Sequence, residues 1–128
     1  MKRFICSTLA TVVLLSLCAC GSLSKEEMLA TAITLDWDAV HDEYLANEAR
    51  AKENYDGKIV KWTAKVYEID ANSAHMANET YNGLPVNAID VHLSKDDLIK
   101  LDKYKTITIV GKLKLTHFSD IVNAYIVD

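Results

Sequence analysis

The chain predicts an α+β fold, mainly β with helices: a five-stranded Greek-key barrel preceded by an N-terminal amphipathic helix. Three observations predict it. Residues 36–55 repeat apolar side chains at helical spacing. Residues 58–127 divide into five short segments, most of them alternating apolar and polar positions. A short capped helix falls between the third and fourth of these segments. Five strands with a helix between the third and fourth is the order of an OB-fold barrel.

The helix over 36–55 takes Asp36 as its N-cap, and Trp37, Val40, Tyr44, Ala51 and Tyr55 form one apolar stripe that Leu45 and Ala49 widen. Asp56-Gly57 ends it. In the first strand, residues 58–69, Val60, Trp62, Ala64 and Val66 alternate with Lys61, Thr63, Lys65 and Tyr67. A turn at 70–72 leads to a weaker strand pattern over 74–80. The Asn82-Gly83 dipeptide then marks a loop over 82–85, before a third strand over 86–93. Ser94 caps a short helix over 94–101 whose apolar contacts are Leu98 and Leu101. The fourth strand, 106–115, places Ile107, Ile109, Leu113 and Leu115 on one side, and Gly111 inside that series predicts a bulge or bend. Residues 120–127 form the fifth strand.

Before the barrel the chain carries an export signal. Lys2 and Arg3 precede 16 uncharged residues, 4–19, too few to span a bilayer, which needs about 20. The run ends Leu17-Cys18-Ala19-Cys20-Gly21-Ser22. This resembles the bacterial lipobox, which implies cleavage before Cys20 and a lipid on its sulfur. On that reading residues 1–19 are a lipoprotein signal peptide, 20–35 a tether with a short helical segment capped by Ser24, and 36–128 the helix and barrel. Cys6 and Cys18 leave with the signal and Cys20 is consumed by lipid, so the mature chain has no disulfide and depends on its core for stability. The expected location is extracytoplasmic, on a bacterial membrane. Losing Lys2 and Arg3 leaves 12 basic against 18 acidic residues, formally −6. That balance argues against a general nucleic-acid binder, whose affinity comes largely from phosphate contacts.

A family resemblance rests on Asn47-Glu48-x-x-Ala51-x-x-x-Tyr55-x-Gly57-Lys58, on the following strand ending Val66-x-x-Ile69, on residues 106–112 (Thr-Ile-Thr-Ile-Val-Gly-Lys) and on residues 121–126 (Ile-Val-Asn-Ala-Tyr-Ile). Together these resemble the tRNA_anti-like OB-fold proteins, small bacterial proteins that include many lipoproteins. The resemblance implies the fold and carries no catalytic residues. The family pattern has Gly where this chain has Ala64, and a Gly-Asp-type turn where it has Lys103-Tyr104-Lys105.

Sites of chemistry are sparse. His41, His75, His92 and His117 fall in none of the metal-motif spacings, so neither metal nor cofactor is expected. The serines read as caps and turns, no glycine-rich phosphate loop exists, and the paired acids sit at helix starts. The chain is therefore expected to bind rather than catalyse. OB-folds bind on strands two and three and the adjoining loops. Here that face offers His75, Glu79, Tyr81, Asn87, Asp90, His92 and His117, with Asp120 nearby, and His75 and His92 stand to face each other. The face is polar, acid-leaning and poor in the stacking aromatics of single-strand binders. A protein, peptide or glycan of the cell envelope fits it; nucleic acid is the alternative. Lys61, Lys65, Lys112 and Lys114 share outward faces of the neighbouring first and fourth strands. They form either a basic stripe for an anionic partner or solvated charges that guard strand edges.

Overall fold

A computed structural model describes residues 23–116 and 119–127. The expectations for the leader, Cys20 and His117 lie outside the described residues. The elements, in order, are α1 (Lys25–Thr31), β1 (Ile33–Thr34), α2 (Trp37–Ala46), α3 (Glu48–Tyr55), β2 (Ile59–Ile69), β3 (Ala74–Ala77), β4 (Glu79–Tyr81), β5 (Leu84–Val86), β6 (Ile89–Val91), α4 (Lys95–Lys100), β7 (Thr106–Lys114) and β8 (Asp120–Ile126).

The barrel is organised by β2. Its alternation sends Val60, Trp62, Ala64 and Val66 inward, each 2% exposed or less. Over residues 59–65 it pairs antiparallel with β7, and over 65–69 with β3. The strand reaches both partners by bending at a register shift between Val66 and Glu68, so the bulge falls just past Ala64. The turn into β7 is held by Tyr104 at φ +71°, whose amide donates to Val66 O at 2.6 Å. β3 pairs with β6, β6 runs parallel to β8, and β8 pairs with β7, closing a five-strand ring.

Gly111 is needed where β7 meets β8. A Cβ there would lie 2.5 Å from Ile121 Cγ2 and 3.0 Å from Ala124 Cβ, and the ladder shifts register between Val110 and Lys112. The bend expected at Gly111 is present.

The helices cover what the ring leaves open. The single helix expected over 36–55 is two. Asn47 is extended (φ −159°, ψ 93°); its amide donates to Glu43 O at 2.7 Å and closes α2, while its side chain accepts from Arg50 N at 3.0 Å and opens α3. Across the elbow Glu43 Oε1 accepts from Arg50 Nε at 2.9 Å and from Asn54 Nδ2 at 3.2 Å. The Arg50 bond, followed by those of Tyr55 and Asn54, holds the Glu43 carboxyl below its ordinary value. The elbow lets Trp37 and Val40 of α2 and Ala51 of α3 all enter the core. Leu45 does not belong to that stripe; it is 71% exposed.

Four other expectations change. Residues 33–35, expected as the end of the tether, include β1, which lies parallel to β2 in the register Ile33 to Val60 and covers the stretch of β2 that β3 does not reach. The weak strand over 74–80 divides at Asn78 into β3 and β4, and the loop over 82–85 is a hairpin, with Tyr81 opposite Leu84. Its turn residues, Asn82 and Gly83, have φ of +53° and +79°, the pair of positive values that a tight type I′ connection requires. The third strand shrinks to β6.

The segment expected as a tether is part of the fold from Ser24 onward. Ser24 and Glu27 form a capping box, and α1 lies against β2 and β7. Met28 is 2% exposed and the outward-pointing Val110 is fully buried, although both stand outside the barrel core.

Candidate binding site

The register of four neighbouring strands draws a polar row across the barrel. His75 of β3 stands opposite Asp90 of β6, Asp90 opposite Asp120 of β8, and Asp120 opposite Lys114 of β7. His75 bonds Asp90 through Nδ1, and its Nε2 lies 3.2 Å from Asp70 Oδ2. His92 Nε2 sits 3.2 Å from Asp120 Oδ1. The expected pairing of His75 with His92 is replaced by carboxylate partners, Asp70 and Asp90 for His75 and Asp120 for His92, because the register puts Asp90, not His92, opposite His75.

Asp70 is fixed by its turn. It accepts from the amides of Asn72 at 2.8 Å and Ser73 at 2.7 Å, and from Ser73 Oγ at 3.0 Å. The Asn72 amide bond leads, followed by those of Ser73 and His75, in drawing the carboxyl down to about 2.

Asp90 also opens onto a cleft of about 320 Å³ between α2 and the barrel. Trp37, His41, Tyr44 and Leu45 line its helix side; Asn87, Ala88 and Asp90 line its floor. Trp37 Nε1 donates to Asn87 O at 2.7 Å, which docks α2 on the loop before β6. The Trp37 and His41 rings lie 5.7 Å apart at 47°. Thr116 and Ser119 complete the rim. The cleft thus joins aromatic planes to a carboxylate acceptor, a combination suited to a ligand with hydroxyl or ammonium donors and an apolar face. Three carboxylates on one wall disfavour phosphate.

Of the residues expected on a ligand face, His75, Asp90, His92 and Asp120 are brought together, and Asn87 joins them at the cleft. Glu79 and Tyr81 stand apart on the β4–β5 hairpin, where Tyr81 is 72% and its partner Leu84 69% exposed. Trp37, His41, Tyr44 and Asp70 were not expected here. The spacing of Trp37 and His41 by four, one turn apart on a helix face, was the available signal.

The four lysines lie along the outer side of the paired strands β2 and β7. Lys65 Nζ lies 5.7 Å from the Tyr67 ring centre and 6.0 Å from that of Tyr104. Lys114 belongs to the polar row. Lys61 and Lys112 are exposed on the wall where α1 covers Val110. Among the described residues no group of three or more His, Cys, Asp or Glu is placed to hold a metal ion.

No protein-family model matches the chain, and no curated protein matches it. Among solved structures it is similar to the crystal structure of a "putative nucleic acid-binding lipoprotein" from Klebsiella pneumoniae, with a TM-score of 0.64 and 16% identity, over 84% of this chain and 100% of the other. The barrel is an OB-fold. At this identity the likeness carries the fold alone. Among the described residues no helix is long and apolar enough to cross a membrane.

Proposed function

We propose that this chain is an extracytoplasmic lipoprotein, anchored to a bacterial membrane through Cys20, whose OB-fold is a non-enzymatic binding module for a protein, peptide or glycan of the cell envelope. On this reading it belongs with the tRNA_anti-like OB-fold proteins. One observation carries the binding role: the cleft between α2 and β6, where Trp37, His41 and Tyr44 face Asp90 at the edge of the polar row. Asp90 accepts from ligand donors while the aromatic side chains supply apolar contact area. The Klebsiella lipoprotein supports a lipid-anchored OB module by its fold and by its description.

The test is crosslinking in intact cells with the anchored chain and with a Tyr44→Ala/Asp90→Asn variant. The expected outcome is a partner captured by the first and lost from the second. Identical capture by both removes the cleft from the function. The mass of the mature N-terminus checks the anchor separately, and an unmodified Cys20 ends that part of the reading.

Nucleic acid is the second reading, favoured by the description of the Klebsiella lipoprotein. The carboxylates of Asp70, Asp90 and Asp120 on the candidate face weigh against it. Salt-dependent binding of single-stranded RNA or DNA, lost on replacing Lys61, Lys65, Lys112 and Lys114 by Ala, would establish it. The expected result is no binding at low salt.

A further inference from the structure

The two ends of the barrel differ in what they meet. The cleft lies where β8 begins, beside Ser119, and a second depression of about 370 Å³ lies where β8 ends, between Lys25, Leu101, Lys105, Ile107, Ile126 and Val127. β7 runs between the same two ends with nine residues, a length of about 26 Å at strand rise. Lys25 thus places the start of α1 at the α4 end. Leu23, the first described residue, accepts from Tyr125 Oη at 3.4 Å. Cys20 precedes Leu23 by three residues, a reach of at most about 11 Å.

We infer that the α4 end rests on the anionic phospholipid surface of the anchoring membrane, with Ile99 and Tyr104 in the headgroup layer and the Trp37–Asp90 cleft directed away. This rests on Cys20 carrying the lipid. The short tether brings this end, and not the cleft end, to the bilayer. The surface chemistry agrees. Ile99 is 72% and Tyr104 65% exposed, and Lys100, Lys103 and Lys105 surround them. Tyrosine and long-stemmed lysine are residues of the membrane–water boundary. Charge selects the same end. Residues 24–27 and 95–105 together hold five lysines and five acids, so the formal −6 of the mature chain resides on the rest of the surface. An anionic bilayer repels the rest and tolerates this pole.

The test is lysine acetylation read by mass spectrometry, comparing the mature chain in solution with the chain anchored on vesicles of equal phosphatidylcholine and phosphatidylglycerol. Two anchored forms are used: the lipoprotein made in cells, and the chain from Cys20 coupled through that thiol to a maleimide phospholipid. No other cysteine remains to compete. Lys100, Lys103 and Lys105 should react several-fold more slowly when anchored, and Lys52 and Lys114 at unchanged rates. An Ile99→Ser/Tyr104→Asn variant, still anchored, should lose most of that protection. Protection spread evenly over both sets, no protection at all, or protection that survives the double variant overturns the inference. An unlipidated chain from cells would end the anchor reading while the coupled form still decides the orientation.

Discussion

The two walls of the barrel are built on opposite plans. The β2–β7 wall uses strands of 11 and nine residues, in register over seven pairs, and is covered outside by α1. The β3–β6–β8 wall uses strands of four, three and seven residues, and its outward row is His75, Asp90 and Asp120. On the first wall α1 lies over the buried Val110, while Lys61, Thr63 and Lys112 stay exposed. The second is apolar inward, and its outer polar side chains are organised by hydrogen bonds between histidines and carboxylates. Close packing and the polar row are therefore separated across the ring.

That separation can be broken by substitution. Trp62→Ala, inside the covered wall, should have the largest effect, a loss of about 3–5 kcal/mol in urea unfolding. A loss no greater than that of a surface change would deny the wall its structural role. Gly111→Val should cost about 1–3 kcal/mol, since the new side chain collides with Ile121 and Ala124. A neutral result there would mean the β7–β8 contact is looser than described. Met28→Ala should cost about 2 kcal/mol and raise amide exchange in α1 before the barrel; uniform exchange would show α1 and the barrel to be one cooperative unit.

The smallest change belongs to the open wall. Asp70 has a folded value of about 2 against an ordinary 3.8, so its contribution is complete above the ordinary value and fades as pH falls through the folded one. Asp70→Asn should lower stability at neutral pH and flatten its fall between about pH 4 and pH 2, so that the two proteins converge near pH 2. Equal unfolding at neutral pH would show that the Asp70 charge adds nothing to its turn.

Local chemistry explains what was legible. The caps at Ser24, Asp36 and Ser94 accept the amides expected of them, and period-two burial follows the apolar alternation in β2, and in β7 except at Val110 and Gly111. The elbow at Asn47 was hidden because Ala51 and Tyr55 continue the apolar spacing of α2 across it. Pro85 read as loop, yet it sits in a two-stranded hairpin whose outer edges need no donor. The cleft was illegible for a different reason. Trp37 and Asp90 meet only after α2 docks on the loop before β6, a contact across 50 residues in Trp37 and Asn87. Likewise the spacing of Asp90 and His92 by two is local, but which acids each histidine faces depends on register among three strands.

The parallel pairing of β6 with β8 sets an order of events. Parallel strands cannot be joined by a hairpin, so the chain must lay down α4 and β7 before β8 can return beside β6. β8 is also the last strand among the described residues. Until it is in place the ring stays open between β6 and β7. Closure then comes with the non-local contacts that fold slowest. Residues beyond Asp120, rather than the longer strands that dominate the core, thus hold the completion of the fold.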